Sequence, residues 1–216
     1  MTRTACALAL CSALAPLPAL AQSATATQPT GDAAGAARWH NGVKGGLAVG
    51  SLGGDVTDKA GSHVGATLGY YFVYSFGSGI DLQVEAAVTE TGGTDAVLNE
   101  SGRESDIIAT YFEVPVFGRY DIPLTGPIQP YAYLGPIASV VIDARRMIGT
   151  DGVDYEDSLK PFNVAAAAGL GAEWLIGKGT GISLDLRYAY GLTSIDDANL
   201  GSIKTRTFTA TFGIWK

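Results

Sequence analysis

Residues 80–88 read Ile80-Asp81-Leu82-Gln83-Val84-Glu85-Ala86-Ala87-Val88. In an extended chain successive side chains point to opposite faces. Ile80, Leu82, Val84, Ala86 and Val88 therefore share one face, and Asp81, Gln83, Glu85 and Ala87 the other. The apolar period is two, not the 3.6 of a helix. The pattern recurs in both directions along the chain. Phe112, Val114, Val116 and Tyr120 oppose Tyr111, Glu113, Pro115, Phe117 and Arg119. Ile182, Leu184, Leu186 and Tyr188 oppose Ser183, Asp185 and Arg187, and Phe208, Ala210, Phe212 and Ile214 oppose Thr207, Thr209, Thr211 and Gly213.

Eight such runs fill the chain from Trp39 onward, at about 41–51, 62–76, 79–90, 107–121, 127–146, 160–176, 180–192 and 204–216. The 127–146 run leaves its phase open, since Tyr131 and Tyr133 suit either face. Pro115, Pro130 and Pro136 fall inside strand segments, where proline removes a ladder donor and calls for bulges or strand ends. The connections alternate. Those at 76–79, 121–127 and 176–180 are short and rich in Gly or Pro, whereas those near 51–62, 91–106, 146–160 and 192–204 are long and polar. Short turns on one side and long loops on the other are the plan of an outer-membrane barrel, and an even strand number returns both ends to the periplasm. The sequence thus predicts an all-β, eight-stranded antiparallel up-and-down transmembrane β-barrel.

The alternation alone does not say which face is inside. In a soluble lipid-carrying barrel the apolar face lines the interior; in a membrane barrel it meets lipid. Three features favour lipid. The chain opens with an export signal. The face opposite the apolar one is filled by small residues such as Gly65, Thr67, Gly69, Ala165, Ala167 and Gly169, too poor in charge for a solvated surface. Aromatic residues, among them Phe72, Tyr74, Phe76, Tyr120, Phe162, Trp174, Tyr188 and Tyr190, gather near strand ends on the apolar face, as in a headgroup-level girdle.

Composition agrees. Glycine supplies 29 of 216 residues, roughly twice the usual share. Charged residues make up 16 %, against about a quarter in ordinary globular chains. A net charge of −7 repels a phosphate backbone and speaks against nucleic acid as a partner.

Residues 1–21 are expected to be a cleaved signal peptide. Arg3 gives the positive start, Ala5–Leu14 the apolar stretch, and Ala19-Leu20-Ala21 a small-x-small cleavage site. Leu10 before Cys11 does not suit a lipidation site. Both cysteines, Cys6 and Cys11, fall in this segment, so the mature chain is expected to hold no disulfide and no thiolate metal site. Residues 22–38 are polar and small, and are read as a flexible periplasmic linker. The barrel domain is placed at 39–216.

Three motifs then carry a family resemblance: Gly42-Val43-Lys44-Gly45-Gly46-Leu47, Tyr111-Phe112-Glu113-Val114-Pro115-Val116 and Pro130-Tyr131-Ala132-Tyr133-Leu134-Gly135-Pro136. Over about 39–216 the chain resembles the small outer-membrane β-barrel family that includes the PorT-like proteins, often labelled "porin family". The resemblance implies an eight-stranded barrel similar in architecture to OmpA-type barrels, in the outer membrane of a Gram-negative bacterium. It implies no particular activity. The chain ends Phe212-Gly213-Ile214-Trp215-Lys216, so the terminal aromatic residue that the barrel assembly machinery reads is displaced by one position.

An eight-stranded barrel is just wide enough for side chains to fill. The alternation turns Lys44, Asp81, Glu85, Glu113, Arg119, Glu173, Asp185 and Arg187 inward. Five acids and three bases at these positions are expected to pair into a polar plug, because an unpaired buried charge costs several kcal/mol. Arg145, Arg146, Lys160, Lys204 and Arg206 lie near the loop-side rim, as candidate contacts for lipopolysaccharide phosphates.

Little points to catalysis. Ser62 and His63 are adjacent, so a strand sends them to opposite faces and they cannot form one nucleophile–base pair. The loop acids Asp151, Asp154, Glu156 and Asp157, and Asp196, Asp197 and Asn199, do not match the twelve-residue calcium loop. No phosphate-binding loop, His-Glu-x-x-His or nucleophile elbow occurs. The expectation is a structural or interaction barrel without enzymatic activity, metal or cofactor, with external loops available for recognition. The alternatives are a narrow channel for ions or small solutes, an outer-membrane enzyme, and a soluble lipid-binding barrel.

Overall fold

The computed structural model describes residues 38–54, 61–94, 106–148, 151–154, 160–177, 179–194 and 203–216. The expected signal peptide and all but the last residue of the expected linker lie outside them. Among the described residues nine strands follow one another: β1 (Arg38–Gly54), β2 (Gly61–Ser75), β3 (Ile80–Thr94), β4 (Asp106–Asp121), β5 (Ile128–Ile148), β6 (Asp151–Asp154), β7 (Phe162–Gly177), β8 (Thr180–Gly191) and β9 (Ile203–Trp215). Eight of them form a ring in the order β1-β2-β3-β4-β5-β7-β8-β9, every neighbouring pair antiparallel. β1 and β9 close it from Gly42↔Trp215 to Gly54↔Ile203. Just beyond, the Lys216 and Asn41 backbones exchange hydrogen bonds of 2.9 and 3.2 Å. The short β6 stands outside the ring and pairs only with the end of β5, Arg145–Ile148 against Asp154–Asp151. Closure leaves the ring itself no edge, which is what lets strands cross a bilayer with their backbone groups satisfied.

Both described ends of the chain and the short turns lie at one end of the ring. Gly77 and Gly79 turn the chain with φ of 76° and 79°, and Gly179 does so with φ of 79°. Side chains avoid that left-handed region, which explains the glycines there. The strand ends that the long connections join lie at the other end, the extracellular one by the rule for such barrels.

The faces are inverted relative to a soluble protein. Leu134 is 70 % exposed and Leu170 62 %, while Glu85 is 2 % exposed and Arg119 1 %. Val43, Leu47, Leu68, Ile80, Val116, Leu184 and Phe212 join the exposed apolar set. Such a surface suits lipid and no aqueous phase. Trp39 and Phe72 stack on the outside near the turns, with centroids 5.5 Å apart, and Phe76 and Tyr120 stand nearby as exposed aromatics.

Two features of β5 differ from simple alternation. Tyr131, Tyr133, Ile137, Ser139 and Val141 all point inward, which fixes the phase left open by the sequence. Beyond Val141 the register against β4 slips by one, from Tyr111↔Val141 to Thr110↔Asp143, so Ile142 is the bulged residue. The prolines, in turn, need no bulge at their own positions. The β3–β4 ladder keeps its register from Val84↔Val116 to Ala87↔Glu113 across Pro115, and the β4–β5 ladder keeps it from Pro115↔Ile137 to Gly118↔Leu134 across Pro136.

Candidate functional site

The interior is the chemically distinctive part of this barrel. At its centre Glu85 of β3 is buried and collects three donors. Arg187 Nη2, from β8 on the opposite side of the ring, lies 2.7 Å from both Glu85 Oε1 and Oε2. Lys44 Nζ donates to Oε1 at 2.5 Å from β1, and Gln83 Nε2 donates at 2.6 Å. One carboxylate thus joins two cations. The Arg187 guanidinium lies 4.7 Å from the Phe117 ring centroid and 5.5 Å from that of Tyr133, while Lys44 Nζ lies 5.4 Å from Tyr71. The ring faces supply additional negative potential to both cations.

A second layer sits nearer the turns. Arg119 Nη1 donates to Glu173 Oε1 and Arg119 Nε to Asp121 Oδ1, both at 2.7 Å. The Arg119 guanidinium lies 3.6 Å from the Tyr131 ring centroid. His40 Nε2 is 3.5 Å from Glu173 Oε1, and its ring is 4.9 Å from that of Trp215. Tyr131 Oη donates to Asp185 Oδ1 at 2.7 Å, and Tyr71 Oη lies 3.4 Å from Ser183 Oγ. Apart from the Arg119–Asp121 bond within β4, these hydrogen bonds run between strands that are not neighbours in the sheet, so they cross the lumen.

On the loop side of Glu85 the lining becomes hydroxylic. Thr89 Oγ1 donates to Glu113 Oε2 at 3.0 Å and lies 2.9 Å from Thr67 Oγ1. With Thr207, Thr209 and Thr211 they border a cavity of about 20 Å³ that ends on Glu85 and Arg187. By the same measure a water needs roughly 10–15 Å³. This cavity therefore has room for about one water molecule.

Five of the eight charges read as inward from the sequence fall into two ion-paired groups. Lys44, Glu85 and Arg187 meet in one cluster, and Arg119 meets Glu173 in another. Asp81, Glu113 and Asp185 have no Lys or Arg within ion-pair distance among the described residues. From the sequence Gln83 falls on the inward face but outside the charged set, Tyr131 and Tyr133 are open in phase, and Tyr71, His40, Asp121 and Trp215 carry no lumen role. Tyrosine fits lipid interface and polar interior alike, so alternation alone carried no signal for Tyr131 or Tyr133. In β2, Tyr71 shares a face with Gly69 and Val73, and that parity was the available clue.

The rim residues are dispersed. Arg145 is exposed and lies 3.2 Å from Asp143 Oδ2. Arg146 belongs to β5, its side chain lying outside the described residues, and Lys160 is half-buried just before β7. Lys204 and Arg206, by contrast, share the outer face of β9 and converge on Tyr190, whose ring centroid lies 5.5 and 5.9 Å from their cationic groups. Ser62 is exposed, while His63 Nε2 lies 3.1 Å from Glu90 Oε1. Asp151 and Asp154 lie in β6, and the other loop acids fall outside the described residues. Among the described residues no group of three metal-ligating side chains occurs.

Comparison with known proteins places this geometry. The outer membrane protein beta-barrel domain family matches residues 20–197. Among solved structures, the outer membrane protein OprG of Pseudomonas aeruginosa aligns with a TM-score of 0.53 at 17 % identity, over 86 % of this chain and 99 % of that one. Outer membrane protein AlkL, determined in lipid bilayers, aligns with a TM-score of 0.49 at 16 % identity, over 88 % of this chain and 94 % of that one. Neisserial surface protein A gives 0.47 at 12 % identity, over 82 % and 97 %. No curated protein matches the sequence significantly. The likeness to OprG is one of fold. This chain belongs to the outer membrane protein beta-barrel domain family and resides in the outer membrane of a Gram-negative bacterium.

Proposed function

We propose that this protein is a non-enzymatic interaction barrel: a rigid, plugged cylinder that presents four external loops for recognition. The observation that carries this reading is the Arg187–Glu85–Lys44 cluster, which ties opposite walls of the lumen together at its centre. A lumen built for transport would keep its charges lining a water column. Here five of the eight pair with one another, and aromatic rings stand against the cations. Function on a rigid scaffold then passes to the loops. A signal peptide over 1–21, a periplasmic linker over 22–38 and affiliation with the PorT-like members of the family belong to the same reading. So does recognition by the barrel assembly machinery through the C-terminal strand, where Phe212 and Ile214 face outward and Trp215 turns toward His40.

Single-barrel conductance in a planar bilayer tests the reading. The expected result is no stable porin-like current from the wild-type protein, and measurable current once Glu85→Ala and Arg187→Ala together remove the central cluster. Steady ion current through the wild-type barrel would overturn it. The threonine-lined cavity above Glu85 favours a second reading, a narrow channel for ions or small solutes, and that current is its expected signature.

A further inference from the structure

On the outer surface, at the loop end, four strands bring one polar row together. Ser62 on β2 is opposite Ser51 on β1, Ser51 is opposite Arg206 on β9, and Arg206 is opposite Tyr190 on β8. All four share the lipid-facing phase of their strands, being in step with the exposed Val64, Val49, Phe208 and Tyr188. Those apolar residues form the next row toward the membrane, paired across the same strands. One step toward the loops, Lys204 lies opposite Gly53.

The two cations are held in place by neighbours other than carboxylates among the described residues. Arg206 lies over Gly53, where an added Cβ would come 2.9 Å from Cζ and 3.0 Å from Nε. Lys204 and Arg206 flank Tyr190. Among the described residues neither has a carboxylate within ion-pair distance. Ser51, Ser62 and Arg206 border a recess of about 220 Å³ whose membrane side is Val49, Tyr188 and Phe208. Two cations with no carboxylate partner among the described residues, and two hydroxyls, thus sit directly above an apolar surface, at the outer boundary of the bilayer. Free inorganic phosphate would use the polar row alone. A phosphorylated amphiphile would use both rows, its phosphate on Lys204 and Arg206 and its acyl chains along Val49, Val64 and Phe208.

We infer that this four-strand patch is a binding site for the phosphate group of an outer-leaflet glycolipid of the lipid A type. The inference rests on the membrane orientation proposed above and narrows the rim contacts to one pair of cations. A charge-assisted contact to phosphate is strong and favours arginine, and basic residues at a charged membrane surface add affinity in step.

The full-length barrel, purified in detergent, is titrated with bisphosphorylated lipid A and with its dephosphorylated form, and occupancy is read by native mass spectrometry. The expected result is that K204A/R206A lowers lipid A occupancy about tenfold or more. Arg206→Lys is expected to retain most of the binding, and the wild type to hold dephosphorylated lipid A no better than the double variant holds the phosphorylated form. Equal occupancy in variant and wild type would overturn the site. Equal binding of the dephosphorylated lipid would overturn the role of phosphate, and displacement by inorganic phosphate at equal concentration would reassign the site to free anions. Gel mobility before and after boiling, measured on each variant, separates these outcomes from failure of the barrel itself.

Discussion

Arg187 reaches across the full width of the barrel to Glu85, its Nη2 lying 2.7 Å from both carboxylate oxygens. The two residues stand on β8 and β3, four places apart in a ring of eight. Sheet hydrogen bonds tie each strand only to its neighbours. This contact ties opposite walls, so it resists flattening of the cylinder in a way that the sheet cannot.

Removing the carboxylate should therefore cost more than removing an ordinary ion pair. Glu85→Gln leaves Lys44 and Arg187 both charged and buried. Breaking a buried pair from one side typically costs about 3–5 kcal/mol, and that loss is expected in urea unfolding from lipid vesicles. Lys44→Met introduced with Glu85→Gln should restore part of the loss. A double-mutant cycle measures the coupling, and additive effects would show that Lys44 and Glu85 act independently.

The lipid-facing surface makes a separate prediction. Leu170 stands on the outer face in the middle of β7, 62 % exposed. A substitution this exposed would be nearly neutral in a water-soluble barrel. In a bilayer, Leu170→Arg is expected to cost about 2–4 kcal/mol, the scale for arginine near the midplane, as read from the same unfolding equilibrium. A cost under about 0.5 kcal/mol, the usual size for a water-exposed site, would argue that this face meets water.

Two glycines should respond in opposite ways. At Gly169 an added Cβ would run into the Tyr133 ring and come within 2.6 Å of the Leu186 carbonyl oxygen. Gly169→Ala is expected to cost about 1–3 kcal/mol through overpacking. At Gly118 the only neighbour is the Leu134 carbonyl oxygen, at 3.9 Å. Gly118→Ala should be neutral or stabilising by a few tenths of a kcal/mol, since alanine loses less backbone entropy on folding. Thermal melting in detergent distinguishes the two.

Much of this architecture was legible in the residues themselves. Alternation over 80–88 and 108–120 is a local property, and it placed strands and turns within a few residues of β3 and β4. The direction of the charged faces followed once lipid was recognised as the outer medium. What alternation could not carry is pairing across the lumen. Which of five inward acids meets Arg187 depends on strand tilt and stagger, and nothing in residues 180–192 points to Glu85. The same holds for β5. Tyr131 and Tyr133 suit either face, and a single bulged residue, Ile142, reverses the phase beyond it, so no one alternation describes 127–146. Lys204 and Arg206 were visible as rim cations, but their convergence with Ser51 and Ser62 exists only after β1 and β9 close the ring.

The closed barrel itself is tested most directly by heat-modifiability. The protein is expressed with its native N-terminus, the outer membrane is isolated, and gel mobility in SDS is compared before and after boiling. The account predicts recovery in the outer-membrane fraction and an unboiled band that runs faster than the boiled one, because a closed barrel stays compact in SDS. A soluble periplasmic protein with a single mobility would contradict it, and the exposed leucines of β5 and β7 would then have to face an interior.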